Sequence, residues 1–357
     1  ENALRVSNLR RFSGMYSFSL SEDITMGSLI SNLDNVIKSH DQYIQRQMSR
    51  NDPDSLHGRA RFVDPHTLEV RSPGGERANL TSEHFIIATG SYPRKADGVP
   101  VDHEHIYDSD SILSVNSLPD SLTVLGGGVI ASEYASIFQA LGTRVTMIDR
   151  YPRPLGFLDS DLTDRFVKDF EEHGGRWIGD ARVTRVEWDG VSSVVTELDN
   201  GEVVRSDKLL AAAGRIANVK GLDIGNAGLE LNEAGVLSVD GHCRTAVSHI
   251  FAAGDVIGPP SLASASMEQG RRASCTALDI ELSSMTDTLP MGIYAIPEMS
   301  SVGLSEKAAL EAHGSVLVGR AMFEEIARGE ISSIQNGMLK IVSDSSGEKL
   351  LGVHIVG

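Results

Sequence analysis

A chain of 357 residues can build two or more domains with sizeable cores, and a composition 41% hydrophobic and 23% charged is that of a soluble globular protein. The net charge of −17 argues against a polyanion partner. There is no block of clustered Lys and Arg to neutralise nucleic-acid phosphates, no basic amphipathic stretch for a membrane surface, and no apolar run near the roughly 20 residues of a membrane span.

The two cysteines, Cys243 and Cys275, share no CxxC, CxxxxC or metal-ligand spacing and read as buried or idle thiols. The start at Glu1 and the stop at Gly357, inside the strand-like run LLGVHIVG, read as the ends of a fragment. The first fifty or so residues read as helical with an interruption near Gly14 to Gly27. In the second helix Leu29, Leu33, Val36, Ile37, Ile44 and Met48 make an apolar stripe, expected to be ordinary core packing. Ala60 to Val70, bent at Asp64 and Pro65, followed by the turn Pro73, Gly74 and Gly75, predicts a small β-meander.

Glu83 to Ser91, EHFIIATGS, predicts a buried strand running into Ala88, Thr89 and Gly90, where small residues permit the close approach of a ligand or another backbone. The run Leu122 to Asp149 reads as strand, glycine turn, helix and strand. Ser121 to Leu125 is apolar, and Gly126, Gly128 and Ala131 fill a GxGxxA pattern. Val129, Ile130, Tyr134, Ile137, Phe138 and Leu141 recur at helical spacing until Gly142, and Arg144 to Ile148 leads to Asp149.

Each position in that turn has a task. Gly126 permits the bend, Gly128 lets backbone approach a pyrophosphate, and Ala131 lets helix and strand pack closely. Unpaired N–H groups and the positive dipole end of the helix face the phosphates, while Asp149 is placed to accept ribose hydroxyls. The expectation is a dinucleotide site.

Beyond it lie a helix carrying Leu162, Phe166 and Phe170, alternating strands at Ala181 to Trp188 and Val191 to Leu198, and the hairpin signal Asn200-Gly201. Leu209 to Gly214 and Ile250 to Asp255 are further apolar strands ending in small residues, the last with an acid, at the carboxyl edge where α/β folds bind ligands. Leu262 to Ala277 is helical and rich in Ala and Ser, and from about Thr288 strands and a helix near Ser305 to His313 suggest an α+β module. His103 and His105 lie near Asp102 and Glu104, but a loop HxH lacks the ligands for a metal, and no metal site is expected.

The segments IIATGS at 86–91, LGGGVIASEYA at 125–135, AAGR at 212–215, FAAGD at 251–255 and IPEMSSVGLSE at 296–306, in this order, resemble the two-dinucleotide flavoprotein disulfide reductase family over essentially the whole chain. YDSDSIL at 107–113, GDVIGPPSLASASMEQGR at 254–271 and MGIYAIPEMSSVG at 291–303 are most similar to members that exchange hydride between nicotinamide nucleotides.

The resemblance implies an α/β fold with two Rossmann-like domains and a truncated α+β dimerisation domain. An incomplete FAD domain would occupy 1–117 and 241–286, the inserted NAD(P) domain 118–240, and the interface domain 287–357. It further implies that Asp255 binds the FAD ribityl chain, with Gly254 beside it. Leu262 and Ala263 would lie along the flavin, Thr89 and Gly90 at the crossover of the FAD domain, and Gly214 near the nicotinamide. Glu133 matches the acid that meets the nicotinamide carboxamide; otherwise it reads as an exposed carboxylate in the first helical turn.

The family's GRxPN becomes Gly214, Arg215, Ile216, Ala217 and Asn218, without the stiffening proline. Asp149 favours a free ribose 2′-hydroxyl, whereas Arg150 and Arg153 could meet a 2′-phosphate or simply be surface arginines. The implied activity is hydride transfer from NADPH through FAD to NAD⁺ in a cytoplasmic homodimer, with NAD(H) and NADP(H) as substrates and the redox chemistry borne by the flavin. Two alternatives stay open: a disulfide reductase of the dihydrolipoamide dehydrogenase type, and a noncatalytic nucleotide-binding fragment.

Overall fold

The structure is a computed structural model that describes residues 3–6, 9, 26–282, 288–331 and 336–357. The chain divides into two compact units, one gathering Glu1–Lys38, Lys95–Gly214 and Pro290–Gly357, the other Ser39–Arg94 and Arg215–Leu289.

The first unit is built on a five-stranded sheet in the order Ile106–Asp108, Lys208–Ala211, Ser121–Leu125, Arg144–Ile148 and Arg176–Ile178. All its neighbours run parallel. Both faces of the central strand are covered: Leu122 and Val124 on one and Thr123 on the other are essentially inaccessible, and burial of an apolar side chain such as Leu122 contributes about 1.5–3 kcal/mol. The helix Val129–Ala140 follows the turn, and Ser160–Glu172 packs Leu162, Phe166 and Phe170 into the same core.

An antiparallel meander, Val183–Trp188, Val194–Leu198 and Val203–Ser206, leaves this unit's sheet and turns at Asn200-Gly201 as the sequence predicts. The C-terminal module is a second, antiparallel sheet of five strands. Its order is Met291–Ile293, Met299–Gly303, Leu350–Val356, Met338–Asp344 and Val316–Met322, with the helix Glu306–His313. In two of these strands, Met299–Gly303 and Val316–Met322, Ser300, Ser301 and Gly319 interrupt the apolar alternation that marks a strand.

In the second unit the predicted meander forms at Arg59–Asp64, Thr67–Arg71 and Arg77–Thr81. Phe85–Ile87 pairs in parallel with Ile250–Ala252, and Ser91–Pro93 pairs antiparallel with Arg215–Ala217. The helix Ala263–Ala277 buries Ala265, Ala273 and Ala277.

One expectation is corrected. The stripe on the helix Met26–Asn51 is not core, because Val36, Ile37, Ile44 and Met48 are each about half exposed. Periodicity identifies the apolar face of a helix without identifying what covers it. The side chains of Leu29 and Leu33, and the interruption before Met26, lie outside the described residues. Among the described residues no helix is long and apolar enough to cross a membrane.

Candidate dinucleotide sites

In the first unit, Gly126 leaves the strand Ser121–Leu125 at φ +118°, and a Cβ there would lie 2.5 Å from the carbonyl oxygen of Ala212 on the neighbouring chain segment. Its N–H donates to Ile148 O at 2.8 Å, so the bend is sewn to the sheet on both sides. Gly128 is the N-cap residue in extended backbone, and a Cβ on it would meet nothing within 4 Å. The open space lies where N–H groups of the first helical turn have no intrahelical partner. Ala131 is fully buried, as close helix packing requires.

The middle glycine is constrained as Gly126 is. A Cβ on Gly127 would sit 3.0 Å from the Trp177 ring, 3.2 Å from Asp149 Oδ2 and 3.2 Å from Pro154 Cα. The acid at the strand end therefore lies directly against the turn, and the loop after it folds back on the same spot, where Leu155 N donates to Gly127 O at 2.7 Å.

Asp149 is half-buried and accepts a hydrogen bond from Tyr151 N at 2.9 Å. Arg150 is exposed, with its guanidinium 4.9 Å from the centre of the Tyr151 ring and its NH2 donating to the Tyr151 hydroxyl at 3.1 Å. Arg153 is committed elsewhere: its Nε bonds Asp164, and its NH2 lies 3.3 Å from Asp164 Oδ2. Of the two arginines, Arg150 alone stands beside Asp149 without a carboxylate bound to it among the described residues. Gly214, at φ +99°, leaves open space at the end of its strand.

Glu133 is not the exposed first-turn carboxylate that a helix dipole would favour. It is the fifth residue of the helix Val129–Ala140, is half-buried, and accepts from Tyr294 N at 2.9 Å. Burial pushes its carboxyl up from the ordinary glutamate value, and the Tyr294 bond partly opposes that. Three residues on, Ser136 Oγ accepts from Ile296 N at 3.0 Å. The glycine-turn helix is thus tied to the segment 294–296 by two side chains. Helical spacing could have flagged the pair, since residues three apart share a face.

The His105 ring stacks on Trp188 at 3.7 Å and faces Asp102, so it has a packing role in its loop.

The second unit holds a crevice of about 420 Å³ at the carboxyl ends of its two parallel strands. It brings together Gly90, Gly254 and Asp255 with Ala88, Ala253 and Ser266. Gly90 and Gly254 adopt φ +74° and +80°, and Gly254 N donates to Gln269 Oε1 at 2.8 Å.

Asp255 Oδ2 accepts from Ser91 Oγ at 2.9 Å, and Arg215 donates from Nε to that hydroxyl at 2.7 Å and from NH2 to Ser91 O at 2.8 Å. This chain of bonds joins three stretches remote in sequence and fixes the Asp255 carboxylate. Sequence reasoning missed Ser91, Ser266 and Gln269, because nothing local distinguishes them. Thr89 is held through its carbonyl by Asn218 Nδ2 at 3.2 Å. Leu262 and Ala263 stand at the start of the helix, outside the residues that line the crevice.

The missing proline of GRxPN has a structural counterpart. Ala217 pairs in register with Ser91, and its N–H donates to Gly235 O at 2.9 Å, a bond proline cannot make. A strand ladder thus stiffens the segment in place of a ring.

Comparison with known proteins agrees with this geometry. Residues 8–270 match the pyridine nucleotide-disulphide oxidoreductase model and residues 289–357 its dimerisation domain. The soluble pyridine nucleotide transhydrogenase of Mycobacterium bovis (strain BCG / Pasteur 1173P2) is 39% identical over 342 residues, covering 96% of this chain and 73% of its own. The protein of the same name from Marinobacter nauticus is 43% identical, over 87% of this chain and 66% of its own.

Among solved structures, LpdA from Mycobacterium tuberculosis superposes with a TM-score of 0.89 at 24% identity, over 100% of this chain and 78% of that one, a likeness of fold. The HOCl-induced flavoprotein disulfide reductase RclA of Escherichia coli gives 0.81 at 26% identity, over 92% and 75%. A glycine turn at a helix N-terminus, a crevice with an anchored acid, and matches that together span nearly the whole chain lead to one assignment: the chain belongs to the pyridine nucleotide-disulphide oxidoreductase family.

Proposed function

We propose that the protein is an FAD-dependent oxidoreductase that moves hydride from NADPH to NAD⁺, giving NADP⁺ and NADH. The observation that carries this reading is the presence in one chain of a glycine turn at the carboxyl edge of one parallel sheet and of a crevice with an anchored acid at the carboxyl ends of another parallel strand pair. The relatives named soluble pyridine nucleotide transhydrogenase support it.

The residues of the second unit fit FAD. Gly90 and Gly254 leave no side chain between the strand ends and a ligand, and the carboxylate of Asp255 is oriented by Ser91 to accept a chain hydroxyl. Thr89, Leu262 and Ala263 would border that cofactor. When bound, FAD supplies the two-electron carrier between the nicotinamide nucleotides.

This chain's own residues bind and orient. Gly126, Gly128 and Ala131 admit the pyrophosphate to the helix N-terminus, Asp149 accepts the ribose hydroxyls, and Arg150 meets a 2′-phosphate. Glu133 and Gly214 border the nicotinamide. The domain limits 1–117, 118–240, 241–286 and 287–357 go with this reading, as do homodimerisation through the last segment and a cytoplasmic location. The match of 289–357 to the dimerisation domain supports the homodimer.

The experiment is an assay of the intact flavoprotein with NADPH and an NAD⁺ analogue, in the absence of lipoamide or any disulfide. Turnover is expected. No turnover here, with turnover on adding lipoamide or a disulfide, would overturn the reading in favour of a disulfide reductase. Purified protein that binds NADPH but carries no flavin absorbance would point to a noncatalytic nucleotide-binding role.

A further inference from the structure

The C-terminal module holds a buried lysine that the proposed chemistry does not use. Lys340, on the strand Met338–Asp344, is 1% exposed, and its Nζ lies 2.9 Å from Asp159 Oδ2, 3.0 Å from Asp161 Oδ2 and 2.8 Å from Glu306 Oε2. Arg320 closes the cluster at 2.7 Å from both Asp161 and Glu306. Three carboxylates thus face two cations. Removing the lysine would leave the nearly buried Asp159 carboxylate without its cation, beside Asp161 and Glu306.

Asp159 is the telling member. It occupies the N-cap position of the helix Ser160–Glu172, yet its side chain caps nothing there. Its Oδ2 instead accepts from Glu306 N at 3.0 Å and faces Lys340. An aspartate at an N-cap ordinarily bonds the N–H groups of its own helix. Here it is turned onto the C-terminal module.

The loop that ends at Asp159 begins at Asp149. Between them, Tyr151 N is held by Asp149, Leu155 N by Gly127 O at 2.7 Å, and Leu158 N by Leu155 O at 2.8 Å. Leu155 is 1% exposed at φ +52°, a left-handed conformation that a leucine adopts only where its surroundings impose it. One end of this loop is therefore pinned to the glycine turn and the other to Lys340.

We infer that Lys340 is a positioning residue for the nicotinamide nucleotide: by holding Asp159 it fixes the 149–159 loop, and with it Asp149 and Arg150, against the glycine turn. The inference rests on the reading that this turn receives NAD(P)(H). Through it, the C-terminal module sets nucleotide affinity without touching the nucleotide.

Steady-state kinetics on the intact flavoprotein test it with Lys340→Met, Asp159→Asn and the control Val342→Ala, a fully buried position on the same strand. Lys340→Met and Asp159→Asn should each raise KM for NADPH and NAD⁺ roughly fivefold to tenfold, with kcat within about twofold and FAD content unchanged. The double variant should show the KM of one single variant rather than the product, because both act through one contact. Val342→Ala should lower Tm and leave KM within about twofold.

A folded Lys340→Met with wild-type KM would overturn the inference, as would an equal rise in KM for Val342→Ala. Should Lys340→Met not fold, Asp159→Asn decides alone, since asparagine still accepts from Glu306 N and loses only the charge. Wild-type protein that neither binds nor oxidises NADPH would remove the functional reading and this inference with it; wild-type kinetics beside unresponsive variants would remove the inference only.

Discussion

In the proposed reading, the glycine turn and the Asp255 crevice hold the same class of ligand by opposite means. The first is made of backbone: the turn Gly126 to Gly128 carries no side chain, and the side chains beside it, Asp149 and Arg150, are partly or fully exposed. The second is made of side chains locked to one another, Arg215 to Ser91 to Asp255 and Gln269 to Gly254. A site of bare backbone with few ordered side chains suits a nucleotide that comes and goes in every cycle. A network that fixes the carboxylate before binding suits a resident cofactor, because the ordering cost is met in folding.

The largest effect is expected where the backbone site has no room. Gly126→Ala would set a Cβ 2.5 Å from Ala212 O at φ +118°. Left-handed backbone costs a non-glycine residue about 1–2 kcal/mol, before any clash. The variant should lose ~10²-fold or more in nucleotide affinity and several degrees in Tm while keeping its flavin, measured by NADPH titration and the flavin spectrum. Loss of flavin instead would break the contrast between the two crevices.

Asp255→Ala tests the other side. It removes an acceptor worth about 1.5–3 kcal/mol when charged, a factor of roughly 10–100. The purified variant should carry little FAD, read from the ratio of flavin to protein absorbance, yet still bind NADPH. Full flavin content would exclude the role assigned to the acid.

The same contrast explains what the sequence reveals. The glycine turn is legible because its strand, turn, helix and acid lie within 30 residues, so the task of each position in the pattern follows from local geometry; Gly127, constrained by Trp177 and Pro154, and Glu133 and Ser136, bonded to the segment 294–296, needed the fold. The Asp255 network is illegible because Ser91 reaches Asp255 across 164 residues of chain and Arg215 reaches Ser91 across 124, and a serine after a glycine carries no mark of its partner. The resemblance supplied Asp255; the structure supplied what holds it. The exposed stripe on Met26–Asn51 errs for the complementary reason, since periodicity describes one helix and burial depends on its neighbours.

A finer test lies within the backbone site. Asp149→Ala should weaken NADH about fivefold to tenfold and NADPH less, because a 2′-phosphate replaces the hydroxyl that the acid accepts and meets Arg150 instead. The two KM values, measured side by side, decide it, and equal losses would contradict the assignment.

The smallest effect concerns Glu133, a side chain of the glycine-turn helix whose titration the fold alters. Burial raises its carboxyl above the ordinary value of about 4.3. A raised carboxyl means that the folded state holds its proton more tightly than the unfolded chain. The resulting stabilisation is complete below that ordinary value and is lost as pH rises through the native one. At neutral pH the charged group is therefore a small liability.

Glu133→Gln keeps an oxygen for Tyr294 N and removes the charge. It should raise the urea midpoint at pH 7 by the equivalent of about 1 kcal/mol at most, since solvent screens a half-exposed carboxylate. The gain should shrink toward zero below about pH 4, where the wild-type residue is protonated as well. A gain independent of pH would mean that the charge is not its source, and that Glu133 is held in this site by packing rather than by its hydrogen bond.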